Sequence, residues 1–289
     1  MTAHGAIAPP VLLAVLGAAL LHASWNALLK QRGEPLLATV LVVAGAAMVA
    51  IVLLPFLPAP ARASWPFIAV SSGVQTVYYL LLIETYRDGQ VSHAYPLMRG
   101  CAPPLVALVN GPLTGERLGI GQWCAMSLIC SGVLGQWFAA RTASAPVSAA
   151  RRTTLFALLT AGVIAAYTLI DGQGVRRSGA PAAYTLWIFL ATGVAVCAWT
   201  ARSRWGALTA FARAHPLVAP LGGLASVGSY GIALWAMTRA PVAAVAALRE
   251  TSILFATAIA AFVLREHIGR ARLVAVALIA CGAVAMRLA

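Results

Sequence analysis

Two arginines stand where arginine is expensive. Arg99 and Arg249 each lie about eight residues inside a long apolar run. If those runs are helices rising ~1.5 Å per residue, each guanidinium sits about 12 Å deep. A charge at the middle of a bilayer costs at least about 2.5 kcal/mol and marks a functional site by default. The planar fork of donors on arginine matches a carboxylate or a phosphate. The pair therefore reads as a receptor for an anionic group. The other reading is a buried ion pair with Glu84, Asp171 or Glu250. Under either reading both side chains face the interior of a helix bundle and not lipid.

The acids that could answer them are few. Glu250 follows Arg249 directly and points about 100° away from it on a helix. The position 150 residues earlier holds Gly100, so this carboxylate has no acidic counterpart in the first half. Glu250 is the first candidate to carry a coupling proton, with a salt bridge to Arg99 or to a loop arginine as the alternative. Asp171 precedes Gly172 and Gly174. It is the second coupling candidate, or else a helix-end residue at the membrane interface. Glu84, close to Arg87, reads as a rim residue.

A polar and aromatic set surrounds these charges in the sequence. His22, Trp25 and Asn26 share one helical face at spacings of three and four. Tyr167 holds the position equivalent to Trp25 when the first spans of the two halves are aligned. Gln75, Tyr78 and Tyr79 lie at depths related to those of Ser226, Ser229 and Tyr230, and Tyr95 is one turn before Arg99. We expect His22, Trp25, Asn26, Gln75, Tyr78, Tyr79, Tyr95, Tyr167, Ser226 and Tyr230 to line a cavity with the two arginines. Such a cavity suits a small, partly apolar solute.

The elements that must position these residues are membrane spans. Of 289 residues 61% are hydrophobic and only 9% charged, against about 25% charged in a soluble domain. Apolar runs near the ~20 residues needed to cross a bilayer recur ten times. They fall at approximately 9–29, 35–57, 65–86, 91–113, 119–139, 154–175, 181–200, 217–238, 241–264 and 269–287. The first is too long for the apolar core of a signal peptide and reads as a retained span. Trp65, Trp123, Trp137, Trp199 and Trp205 lie near span ends, as an interfacial belt would. The predicted fold is an all-α integral membrane protein of ten helices. Stretches 140–153 and 201–216 are expected to be its longer loops.

The two halves of the chain are copies. Shifted by 150, Arg99 falls on Arg249, Glu116 on Glu266, Gly119 on Gly269 and Gly132 on Gly282. The same shift carries Pro66 onto Pro216 and Gly73 onto Gly223 with no gap. This divides the chain into a first repeat at 1–140, a connecting loop at 141–153 and a second repeat at 154–289. Five spans per repeat is an odd number, so the second copy enters the membrane from the opposite side. An inverted repeat of this kind is a recurrent plan of secondary transporters, with the solute near the midplane. Pro96, Pro103 and Pro104 predict that span 4 is more kinked than span 9, which has none of these prolines after Pro241.

The net charge of +13 resides mostly between apolar runs, where it meets lipid headgroups. No basic run with interleaved aromatics points to nucleic acid. Twelve basic residues fall in the loops on one side of a ten-span chain and six on the side of the termini, which places the termini outside by the positive-inside rule. Cys101, Cys124, Cys130, Cys197 and Cys281 lie in apolar runs and form no metal-ligand spacing. The five histidines are scattered, so neither a metal site nor an enzymatic ligand cluster is expected. No phosphate-cradling GxxxxGK motif occurs, and no cofactor is predicted. An integral-membrane enzyme acting on a lipid or small metabolite is the alternative to a carrier.

The segment LHASWNALLK at 21–30 resembles the opening helix of EamA-type members of the drug/metabolite transporter superfamily. So do the turn GERLG at 115–119 and the span that follows it, ending LICSG. The second copy of the turn, REHIG at 265–269, departs from the first by placing Arg265 where Gly115 stands. The resemblance covers nearly the whole chain as two repeats. It implies a ten-helix secondary transporter of the plasma membrane, often an exporter of amino acids or other small metabolites. It also implies termini inside the cell and a cavity among spans 1, 3, 4, 6, 8 and 9.

Overall fold

The computed structural model describes the backbone of residues 7–30, 34–86, 91–140, 147–263, 265 and 267–289. Within those helices the side chains of 25, 27–30, 35, 83, 86, 91–93, 137–140, 147–150 and 203 lie outside the described residues. No strand occurs among the described residues. The helices are α1 (Pro9–Lys30), α2 (Pro35–Leu53), α3 (Trp65–Tyr86), α4 (Val91–Thr114), α5 (Ile120–Ala140) and α6 (Val147–Ser178) in the first part of the chain. They continue with α7 (Pro181–Ala214), α8 (Val218–Met237), α9 (Val242–Arg249), α10 (Ser252–Ala258) and α11 (Arg270–Leu288). A helix lies on every expected span.

Seven helical stretches among the described residues are long and apolar enough to cross a membrane: Leu36–Phe56, Arg62–Leu82, Arg151–Ser178, Pro181–Arg202, Val218–Met237, Val242–Val263 and Arg270–Leu288. Pro9–Ser24 is a shorter apolar helix. α4 falls short because Arg99, Asn110 and four prolines dilute its apolar residues. The described side chains of α5 end at Gln136, which leaves too short a stretch.

Three expectations need correction. The helical interruption falls in span 9 and not in span 4. α4 stays helical across Pro96, Pro103, Pro104 and Pro112. Span 9 divides into α9, α10 and a π-helical turn at Ile259–Val263. The break comes where the Thr251 hydroxyl donates to the Leu248 carbonyl at 2.7 Å and competes with the helical ladder. Residues 201–216 are not a loop: α7 runs on to Ala214 and bends at Arg204, whose φ of −137° leaves the helical region. Leu208 and Phe211 on this extension are buried against Leu37 and Leu41 of α2, and that apolar anchor keeps it helical. Likewise α6 begins at Val147, inside the stretch expected to be a connecting loop.

The packing repeats itself between the halves. α3 lies on α6 as α8 lies on α1, and α4 lies on α6 as α9 and α10 lie on α1. α5 packs on its own copy, α11. There an added Cβ on Gly132 would stand 2.6 Å from the Ala275 oxygen and 2.7 Å from Ile279. On Gly282 it would stand 2.8 Å from the Ala125 oxygen and 2.6 Å from Ile129. Each contact maps onto the other by the shift of 150. Climbing α5 from Ala125 to Gly132 descends α11 from Gly282 toward Ala275, so the two copies run antiparallel where they meet. Glycine permits this close approach, as at other small-residue crossings of membrane helices.

Gly132→Ala and Gly282→Ala should therefore be equally damaging, each destabilising the protein by about 1–3 kcal/mol. Thermal unfolding of the purified protein in detergent checks this. Two unchanged melting temperatures would contradict the close crossing.

Candidate functional site

The two arginine-bearing helices bring their charges together in the centre of the bundle. Arg99 projects from α4, and its Nε donates to Glu250 Oε2 at 2.9 Å across the repeat boundary. One terminal nitrogen also reaches the Arg249 carbonyl at 3.5 Å. The two partners are 9% and 3% exposed. A carboxylate this dry is tolerable only beside a cation, and the pair holds because breaking it strands a buried charge. Of the readings open for Arg99, the ion pair with Glu250 is the one the fold adopts.

Arg249 has a different environment. Its guanidinium lies 5.0 Å from the centre of the Tyr230 ring, a cation–π contact. It has no hydrogen bond or ion pair among the described residues. The cause is visible in the duplication. Arg99 pairs with Glu250, so the symmetry-related partner of Arg249 would be residue 100. That residue is Gly100, where even an added Cβ would stand 2.8 Å from Leu134. The Oε1 atom of Glu250 also has no hydrogen-bond partner among the described residues.

Asp171 is not an interfacial helix end. It is 0% exposed, about 10 Å of helix before the end of α6. Gln75 Nε2 donates to it at 3.1 Å, Tyr184 Oη at 3.0 Å and Tyr230 Oη at 2.6 Å. These donors come from α3, α7 and α8, so one carboxylate ties four helices. Tyr230 serves both acid and base: its hydroxyl bonds Asp171 while its ring carries Arg249.

The aromatic wall is continuous. Tyr78 lies edge-on to Tyr167 at 5.8 Å, Tyr167 to Tyr230 at 6.2 Å and Tyr230 to Phe189 at 6.0 Å. Tyr79 packs on Tyr78 at 5.0 Å. His22 on α1 and Tyr95 on α4 lie within electrostatic reach of both guanidiniums. The structure thus gathers His22, Gln75, Tyr78, Tyr95, Arg99, Tyr167, Asp171, Tyr230, Arg249 and Glu250, with Tyr79 behind Tyr78.

Other expected residues do different work. Asn26 donates to the His22 carbonyl of its own helix at 2.7 Å. Ser229 donates to the Ala18 carbonyl at 2.9 Å, a clasp between α8 and α1. Ser226 makes no polar contact among the described residues. The side chains of Trp25 and Trp137 lie outside the described residues, as does Glu266. Glu84 pairs with Arg152 at 2.7 Å, both 38% exposed, which is a rim position. Trp65, Trp199 and Trp205 are exposed as a belt requires. Tyr184 was missed. A tyrosine inside an apolar run needs an acceptor for its hydroxyl, and that rule applied to span 7 would have found it.

A separate apolar groove of about 670 Å³ opens between α1, α7 and α8, lined by Leu186, Val227, Gly231 and Trp235 among others. None of the charged cluster lines it.

This is an all-helical, two-repeat membrane protein with a buried charged site at the meeting of its halves. The EamA-like transporter family model matches residues 9–137 and again residues 152–288. The chain therefore belongs to the EamA-like transporter family, and its architecture is the two-repeat plan of that family. A protein of known crystal structure shares the fold with a TM-score of 0.76 at 20% identity. The alignment covers 96% of this chain and 98% of that one. A search of the curated proteins matched none.

The two ion pairs should respond differently to neutralisation. Glu250→Gln strands Arg99 and should cost about 3–5 kcal/mol. Glu84→Gln at the exposed rim should cost no more than about 1 kcal/mol. The yield and melting temperature of the detergent-purified variants make the comparison. Equal losses would contradict the buried pairing.

Proposed function

We propose that the protein is a secondary transporter of a small organic solute bearing a carboxylate, an amino acid or a similar anionic or zwitterionic metabolite. The observation that carries this is Arg249. It is a guanidinium at the heart of the bundle, stacked on Tyr230 and with no carboxylate partner among the described residues. A carboxylate from a solute completes it, with the fork of donors giving two charge-assisted hydrogen bonds. Arg99 and Glu250 form the neutral platform beside it. The open Oε1 of Glu250 accepts the ammonium of a zwitterion, and Tyr78, Tyr167, Tyr230 and Phe189 receive its apolar part.

The mechanism is alternating access between two five-span repeats that together cross the plasma membrane ten times in opposite senses. The reciprocal α5–α11 crossing supports this topology, and the broken span 9 gives the second repeat a half-helix able to move. Export is the direction the family favours. Glu250 is the first candidate for a coupling proton because it touches the solute position and has an unfilled oxygen. Asp171 is the second, its oxygens already filled by three donors. The enzyme reading is the less favoured one, because the family model that matches both halves is one of transporters.

Binding of carboxylate solutes to the purified protein tests the proposal. Arg249→Gln should weaken binding about tenfold to a hundredfold, the scale of a charge-assisted hydrogen bond. The amide analogue of the solute should bind the unaltered protein as poorly as the acid binds the variant. Equal affinity of variant and parent for every bound acid would refute the assignment. In proteoliposomes, accumulation against a gradient should collapse with a protonophore. The neutral variant that loses its response to an imposed pH gradient, Glu250→Gln or Asp171→Asn, identifies the coupling group.

A further inference from the structure

One end of the bundle carries a second polar cluster that the solute site does not use. Glu116, in the turn between α4 and α5, accepts from Arg176 at 3.0 Å through Oε1. Its Oε2 accepts from Asn110 Nδ2 at 2.6 Å and from the Val242 backbone N–H at 3.1 Å. Arg176, near the end of α6, also donates to the Met237 carbonyl at 2.7 Å and the Ala240 carbonyl at 3.0 Å. Both carbonyls belong to the turn that leads from α8 into α9.

Two features give this cluster meaning. Val242 is the first residue of α9, so a carboxylate from the other repeat caps the N-terminus of the half-helix whose last residue is Arg249. An acid at a helix N-terminus satisfies free N–H groups and the positive end of the dipole. Beneath the cluster the packing is dry: Leu234, Met237 and Val242 are 0% exposed and Val175 1%. Gly172 lies against Val242, with only 2.7 Å to spare for an added Cβ. This apolar layer separates the cluster from Asp171 and Arg249. The whole assembly joins α4, α6, α8 and α9 at the end of the bundle that bears Ala289, which packs against Gly121.

We infer that Glu116 and Arg176 are positioning residues that latch the Ala289 end of the bundle shut and hold α9, and with it Arg249, in the solute-receiving arrangement. Opening that end requires Arg176 to release the α8–α9 turn and Glu116 to release Val242. α9 is only eight residues long and is joined to α10 through a turn at Glu250 and Thr251. It then moves as a short rigid piece, and the solute arginine moves with it. The second repeat copies Glu116 as Glu266 but places Ala260 where Asn110 stands, so the clasp is not duplicated in full. The inference deepens the transporter reading by assigning one of its gates.

The test measures access and not transport. In a full-length protein whose five cysteines are replaced, Tyr167→Cys places one thiol at the site. A membrane-impermeant maleimide is added to one face of the vesicles at a time, in both orientations. Glu116→Gln and Arg176→Gln should each raise labelling from the Ala289 end about tenfold, the factor expected for one lost charge-assisted hydrogen bond. Arg176→Lys should fall between them and the parent. Glu84→Gln, which breaks the rim pair, should leave labelling from that end unchanged. The latch is overturned if both neutral variants label like the parent, or if Glu84→Gln raises labelling as much as they do. Labelling reads access alone, so it gives an answer even if Arg249 binds no carboxylate, and solute affinity at Arg249 stands or falls separately.

Discussion

The fold is arranged around an unequal division of charge. Two guanidiniums meet inside an apolar bundle, and one carboxylate beside them, Glu250, pairs with Arg99 alone. The other nearby acid, Asp171, is occupied by hydroxyl and amide donors. A guanidinium that no carboxylate of the described residues pairs is unfavourable inside an apolar bundle. Here it is tolerated on the face of Tyr230 and beside polar hydroxyls. Under the proposed function a solute carboxylate would pair that guanidinium, and binding energy would be available where the two repeats touch. Stability and recognition draw on the same residues, because the ion pair that fixes α4 against α9 also frames the vacant arginine.

Duplication explains how such a site arises. A strict two-fold copy would give each arginine the same neighbour. Gly100 and Glu250 break that equivalence at one position, and the break produces one satisfied arginine and one open one. A similar asymmetry appears in the helices. Span 4 keeps four prolines and stays continuous, whereas span 9 has a threonine whose hydroxyl takes a ladder carbonyl and divides the helix. Arg249 thus sits at the C-terminal end of a short half-helix. Its own N-terminus is capped by Glu116 from the other copy, which ties the geometry of the site to the end of the bundle.

Much of this was legible in the sequence, and the illegible part has physical reasons. Apolar runs and the breakers between them fix where helices fall, because backbone polar groups in lipid must bond internally. Arg99 and Arg249 stood out because charge in such runs is costly. Their depth followed from helical rise alone. Which acid pairs with which base did not follow, since depth on one helix says nothing of rotation against another. Asp171 looked interfacial because Gly172 and Gly174 follow it, yet Tyr184 and Tyr230 bury it. The interruption of span 9 was not foreseen because proline is the obvious helix breaker, and a back-bonding threonine is a weaker signal. The extension of α7 was hidden because its arginines read as loop, although Leu208 and Phe211 at a spacing of three mark a buried helical stripe.

The most direct test of the account is an experimental structure of the protein with a carboxylate solute bound. The carboxylate should lie within hydrogen-bonding distance of Arg249, with the Arg99 to Glu250 pair intact and the apolar part of the solute against Tyr78 and Tyr167. A solute lodged elsewhere in the bundle, with Arg249 paired to a carboxylate of the protein itself, would contradict it.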